Sequence, residues 1–298
     1  MDWQTVVQAG QLAAQLDRPE IRILDCRFDL SNSAAGRQAY LAGHLPKARY
    51  VDLDHDLAAP ISADSGRHPL PPRKVLAEVY GGLGIDADTH VVVYDDQGGA
   101  IAARAWWLLR YAGHRHVAIL DGGIGEWVRQ QKPLEAGDVQ GETRLFELRP
   151  PLTNTIEIDE LRSRLQGDLK NRLVDARDKL RFRGELEPID PVAGHVPGAV
   201  NLPFADCLDA SGRFRSSAAL RQMWQQVLAG DTSSPVAVMC GSGVTACHLV
   251  ATARMAGLRE PSVYVGSWSE WIRDPARPVA TGAADQVGDR VTGFAEPT

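Results

Sequence analysis

Val236-Ala237-Val238-Met239-Cys240-Gly241-Ser242-Gly243-Val244-Thr245-Ala246 decides how this 298-residue chain is read. A short apolar run ends in a cysteine, passes through a loop of small residues, and opens into the helix-period spacing of Thr245 to Met255. That is one strand-loop-helix unit, and the chain repeats it. Val91-Val92-Val93 resembles Val236-Ala237-Val238 and precedes a second helical pattern from Ala100 to Tyr111. Asp25-Cys26-Arg27 resembles Asp175-Ala176-Arg177, Gly43-His44-Leu45-Pro46-Lys47-Ala48 resembles Gly194-His195-Val196-Pro197-Gly198-Ala199, and Glu126-Trp127-Val128-Arg129 resembles Glu270-Trp271-Ile272-Arg273. The pairs keep their order at offsets of 145, 150, 151 and 144 residues, as in two homologous halves with small insertions and deletions.

Further strands are expected at Ile21–Leu24, Val117–Leu120, Leu173–Asp175 and Ser262–Val265. Short β-branched runs alternating with helices imply a parallel sheet covered on both faces. The expected fold is α/β, two doubly wound domains in tandem. Residues 1–140 form the first domain, 141–155 a Gly- and Pro-interrupted linker, 156–283 the second domain and 284–298 a tail. Ligands in such sheets sit beyond the carboxyl ends of the strands, so motifs just after a strand count for most.

Composition excludes several classes. Apolar residues make up 44% and charged residues 23%, ordinary usage for a globular chain. A net charge of −6, from 32 basic and 38 acidic residues, leaves no footprint of a nucleic-acid or anionic-membrane binder. The start, Met1-Asp2-Trp3-Gln4, is unlike a signal peptide, and the longest apolar stretch, Ala100 to Leu109, is broken by Arg104. Four scattered cysteines, Cys26, Cys207, Cys240 and Cys247, suit neither a disulfide framework nor a zinc site. A cytoplasmic protein is expected, with no metal or organic cofactor, no nucleic acid and no membrane.

Cys240 carries the chemistry in this reading. Glycines around it let backbone N–H groups converge as an anion-binding nest, and the following helix points its positive end at the same spot. Helix starts and nearby cations favour the thiolate of a cysteine so placed. The bland alternative is an inert cysteine buried at a strand end. A Cys-x5-Arg phosphatase loop would need arginine where Ala246 stands, and His248, eight residues along the helix, points away from any protease-like pairing. What remains is a thiolate in a cradle of neutral donors, suited to a compact monoanion or a persulfide. In the first half Asp95 stands opposite Cys240, and a carboxylate cannot accept sulfane sulfur, so one site per chain is expected.

Together the two α/β halves, Gly-His-Val-Pro-Gly-Ala and the loop Cys240 to Ala246 resemble tandem-domain rhodanese-type sulfurtransferases, across nearly all of residues 1–283. The loop looks more like that of the 3-mercaptopyruvate enzymes than that of the thiosulfate enzymes. The resemblance implies an active second domain and a degenerate first. Cys240 would take sulfur from 3-mercaptopyruvate as a persulfide, release pyruvate, and pass the sulfur to a thiol, a thioredoxin-like protein or cyanide. Gly241, Gly243, Val244 and Thr245 would cradle the sulfur. Arg181, in Arg181-Phe182-Arg183-Gly184, matches the family's substrate-binding arginine, and Ser242, His68 and Asp54 match its proton relay; His68 and Asp54 capping loop turns at the domain interface is the alternative. One departure stands out: mercaptopyruvate enzymes commonly carry a further arginine after this segment, whereas here none occurs between Arg183 and His195. Thiosulfate as donor, or a persulfide relay with little small-molecule turnover, are the rival readings.

Smaller expectations complete the list. Arg177 and Arg27 should each pair with an acidic group, and Arg183 should be a surface residue. His44 and His195, present in both halves, should be structural. Trp268 should wall the pocket, Trp271 should be core, Gly81 to Gly84 should end a helix, and Cys247 lies too far along its helix to pair with Cys240.

Overall fold

The computed structural model describes Trp3, residues 5–170 and residues 172–283, so the expected tail, 284–298, lies outside the described residues. Strands β1 (Val6–Val7), β2 (Ile21–Asp25), β3 (Arg49–Tyr50), β4 (His90–Tyr94) and β5 (Val117–Leu120) form a parallel sheet in the order β1-β5-β4-β2-β3. β6 (Leu173–Asp175), β7 (Ala199–Asn201), β8 (Ala237–Met239) and β9 (Ser262–Val263) form a second, in the order β7-β6-β8-β9. Thr155 bridges in parallel to Val263, the place that β1 takes beside β5. The two sheets therefore repeat one topology. β9 ends two residues earlier than expected because the chain bends at Val265 and Gly266 toward the next helix.

Alternation along the strands shows why both faces are covered. Val91 and Val93 enter one apolar cluster and Val92 and Tyr94 another; in the second sheet Val174 and Val238 divide in the same way from Leu173 and Met239. Helices fill the crossovers: α1 (Ala9–Ala13), α2 (Ala34–Ala42), α3 (Arg73–Gly82), α4 (Ala102–Tyr111), α5 (Gly123–Arg129), α6 (Ile158–Leu165), α7 (Lys179–Arg183), α8 (Ser217–Val227), α9 (Ala246–Met255) and α10 (Ser267–Trp271). Gly84, with φ +72°, follows the last turn of α3, so that glycine run is a helix ending as expected.

The inner faces of both sheets share one core. α4 and α9 pack within it, and residues 102–110 and 246–253 are all buried. Helices buried on every side lie inside a protein, and here they lie between the two halves. The polar stretch 137–152 runs along the outside of the first half: Val139 N–H donates to Tyr40 Oη, Arg144 N–H to Gly81 O, and Leu152 N–H to Arg110 O. Among the described residues no helix is long and apolar enough to cross a membrane.

Candidate active site

Cys240 directly follows β8 and lies on a cleft of about 460 Å³ between the two halves, itself only 2% exposed. Its Sγ accepts the Gly243 N–H at 3.1 Å. Gly243 has φ +79°, and a side chain there would meet Val265 O, so this turn needs glycine. The neighbouring loop after β9 grips the cysteine by its backbone. Cys240 N–H donates to Ser267 Oγ, Trp268 N–H to Cys240 O, and Ser269 N–H to Gly241 O. Ser267 adopts φ +54°, a conformation that costs a non-glycine residue about 1–3 kcal/mol. Gly123, its counterpart in the first half, has the same φ without the penalty. The serine in the second half supplies a hydroxyl to the cysteine backbone, a role that the sequence reading missed.

The first half shows what such a loop holds. Asp95 is fully buried, and its carboxylate accepts four backbone N–H groups, from Gln97, Gly99, Ile101 and Ala102, at 2.8–2.9 Å. The nest is filled by an anion from its own chain. At the same offset from Cys240 stand Ser242, Val244, Ala246 and Cys247. Gly241, Ser242, Val244 and Thr245 line the cleft.

Ser242, His68 and Asp54 come together in a row. His68 Nδ1 lies 2.7 Å from Ser242 Oγ, and His68 Nε2 lies 3.2 Å from Asp54 Oδ1. Burial pushes the His68 imidazole down to about 3, and the Arg104 and Arg67 cations act in the same direction. A neutral ring has one N–H; directing it to the Asp54 carboxylate leaves Nδ1 to accept the Ser242 O–H. Asp54 is partly exposed, and its carboxyl is raised by desolvation and then by Asp52. The segment carrying His68 is pinned across the interface by Arg67 N–H donating to Ser269 Oγ. Arg104, fully buried on α4, donates to Leu57 O, His68 O and Gly243 O, tying the two loops together.

The arginines divide by role. Arg177 pairs with Asp175 and donates to Gly194 O, and Arg27 does the same with Asp25 and Gly43 O, so both hold loops as expected. Arg183 is a surface residue. Arg181 lines the cleft, with Nη2 at 2.8 Å from Glu187 and 2.9 Å from Asp190. Arg67, from the first half, also lines the cleft and reaches the other Asp190 oxygen at 2.6 Å. It was legible only as the residue beside His68.

Trp268 corrects an expectation. It does not wall the cleft but is fully buried, donates to Val192 O and stacks under the Arg177 guanidinium. Trp271 is core. His44 and His195 are structural twins, each with Nδ1 at 2.8 Å from a carbonyl oxygen and its ring stacked on an aromatic neighbour. Cys247 donates to Gly243 O, and all four cysteines are free thiols. His248 faces away from Cys240, stacked on Phe214 and bonded to Gly98 O across the interface. Among the described residues no group of three or more His, Cys, Asp or Glu side chains is arranged to hold a metal ion.

Comparison with known proteins adds the lineage. The rhodanese-like domain matches twice, at residues 8–130 and 157–274. A probable 3-mercaptopyruvate sulfurtransferase of Pseudomonas aeruginosa is 44% identical over 279 residues, covering 93% of this chain and 98% of that protein. A putative thiosulfate sulfurtransferase of Mycobacterium tuberculosis, SseB, is 39% identical over 94% of this chain and 98% of its own length. Among solved structures, the Escherichia coli 3-mercaptopyruvate enzyme SseA superposes with a TM-score of 0.78 at 30% identity, covering 89% of this chain and 99% of that one.

Proposed function

The chain belongs to the rhodanese family and is a sulfurtransferase, and on that premise we propose that its donor is 3-mercaptopyruvate, with Cys240 carrying the sulfur as a persulfide. The observation that carries this choice of donor is the row Ser242, His68, Asp54 beside Cys240. Thiosulfate leaves sulfite behind, an anion stable without a proton. Mercaptopyruvate leaves a carbon anion, which must be stabilised through its carbonyl and then protonated. A hydroxyl backed by a neutral imidazole and a carboxylate suits only the second task.

Written in full, the Cys240 thiolate attacks the donor sulfur and forms an S–S bond. The C–S bond breaks, and its electron pair passes to carbon as the enolate of pyruvate. One proton, equivalent to that given up by the cysteine thiol, ends on the methyl carbon; Ser242, whose O–H rests on His68 Nδ1, delivers it, and the proton from the cysteine thiol restores the hydroxyl. The two sulfurs together give up two electrons and the carbon takes them, so no further oxidant is required. The persulfide lies at the Gly243 N–H and the cradle of Gly241 to Thr245, and Arg181 binds the donor carboxylate. An acceptor thiol, from a small molecule or a thioredoxin-like protein, or cyanide then takes the outer sulfur and restores the thiolate. The enclosure of Cys240 favours small donors over handover from a partner protein.

The test compares kcat/KM for 3-mercaptopyruvate and thiosulfate, with cyanide as common acceptor, and weighs the intact protein after donor treatment. A preference for mercaptopyruvate is expected, with one added sulfur that Cys240→Ser abolishes. A preference for thiosulfate refutes the choice of donor. Turnover retained in Cys240→Ser refutes the mechanism.

A further inference from the structure

We propose that the donor's carboxylate is held by a clamp split between the two halves, Arg181 from the second and Arg67 from the first, with Asp190 setting their spacing. This rests on the assignment of a carboxylate-bearing donor and names the second cation that the segment after Arg183 lacks. Asp190 is nearly buried, and its two oxygens each take one guanidinium, Oδ1 that of Arg67 at 2.6 Å and Oδ2 that of Arg181 at 2.9 Å. Glu187 takes the Nε edge of Arg181. Both guanidiniums then converge over the residue after the cysteine. A methyl group placed on Gly241 would lie 3.2 Å from Arg67 Nη2, 3.6 Å from Arg181 Nη2 and 3.7 Å from Arg181 Nη1. Glycine at 241 thus keeps open the space in front of the pair.

Arg67 also carries an unspent donor. Its bond to Asp190 is made by Nη1, while Nη2, the nitrogen that faces Gly241, is not used on Asp190. A carboxylate arriving at Nη2 gains a charge-assisted hydrogen bond without displacing Asp190. Arg67 and Arg181 are matched by Asp190 and Glu187, so the four groups are neutral together and a bound carboxylate meets two guanidiniums already half satisfied. A monoanion disturbs that balance less than a dianion does.

Because Arg67 is fixed by its own N–H on Ser269, donor recognition depends on how the halves are docked. The placement of Arg67 also explains how the site manages without an arginine between Arg183 and His195.

The experiment is steady-state kinetics and persulfide formation by Arg67→Gln and Arg67→Lys, beside the unaltered chain, each checked by its melting temperature. Arg67→Gln is expected to raise KM for 3-mercaptopyruvate about 10–100-fold, the scale of a lost charge-assisted contact, with kcat changed less than about threefold. The inhibition constant of pyruvate should rise with KM, since pyruvate keeps the carboxylate. Discharge of a preformed persulfide by cyanide should not change, and a merely structural role would not produce that division. Arg67→Lys, which retains the cation and protects the fold, should recover part of the affinity. An unmoved KM in Arg67→Gln, or a fall in kcat alone, overturns the split clamp while leaving the proposed function standing. Failure of the unaltered chain to form a persulfide from mercaptopyruvate overturns the function, and the clamp with it.

Discussion

Replacing Asp95 by Asn probes the division of labour between the halves. The carboxylate oxygens share four backbone donors, two each: Oδ1 takes the N–H groups of Gln97 and Gly99, Oδ2 those of Ile101 and Ala102. An asparagine in the same place keeps one acceptor oxygen and turns an NH2 group toward the other two donors. Two charge-assisted bonds are lost and two buried N–H groups are left facing a donor. At about 1.5–3 kcal/mol each, the cost is about 3–6 kcal/mol. The favourable meeting of a negative charge with the start of α4 is lost as well, at about 0.3–1 kcal/mol. A chain of this size should melt about 10 °C lower, at roughly 2–4 °C per kcal/mol. Urea unfolding followed by circular dichroism measures the loss. On protein held at low temperature, where it stays folded, kcat/KM for mercaptopyruvate should remain within about threefold, because the reacting sulfur belongs to Cys240. Unchanged stability would refute the account of a self-filled nest. A folded variant with activity reduced tenfold or more would refute the one-site account.

Acidification should destabilise the chain well before its carboxylates titrate. Burial pushes His68 down to about 3, and His114 and His248 down to about 4. A histidine depressed in the folded state binds its proton first in the unfolded state, so its contribution is intact above about pH 6.5 and is lost as pH falls toward the depressed value. At pH 5 each costs about 2 kcal/mol, about 6 kcal/mol in all, partly offset by the raised carboxyls of Asp54, Asp56, Asp96 and Glu270. Urea unfolding at pH 7.5 and pH 5 measures the difference, and equal or greater stability at pH 5 contradicts it. Ser242→Ala should lower kcat for mercaptopyruvate about 10²-fold while changing thiosulfate turnover far less, and equal losses with both donors count against the proton relay. The pH profile of the unaltered enzyme should show no limb from His68 near 6.5.

The central strands were legible because β2, β4, β5, β6 and β8 are apolar runs buried on both faces. The edge strands β1, β3 and β7 were not, since two or three residues paired on one side leave no periodic trace. Cys240 was legible from local order alone: strand, small-residue loop, helix. His68 and Asp54 entered through family resemblance, because nothing near residues 54–68 in sequence announces a partner 174 residues away. Arg67 and Ser267 were missed for the same reason. Each acts through contacts across the domain interface or between loops far apart in sequence. Arg104 registered only as an interruption of an apolar stretch, yet that interruption is a fully buried cation joining the carbonyls of His68 and Gly243.

Those contacts tie the first half to the cleft beside Cys240. Asp95 fills the nest of the first half, and the loops of that half reach toward Cys240 instead. His68 and Asp54 stand behind Ser242, Arg67 shares Asp190 with Arg181, and Arg104 holds the Gly243 carbonyl while the Gly243 N–H meets the sulfur. Each of these groups must be placed to within a fraction of an ångström, which exposed loops alone seldom achieve. The common core supplies that rigidity, because α4 and α9 cannot slide past one another without opening close-packed apolar surface around Trp106, Trp107 and Leu249. Under the proposed function, the absence of the cysteine from one copy and the shared core of both are two sides of one arrangement: the half without the cysteine supplies the wall, the proposed proton relay and the proposed second cation of the half that has it.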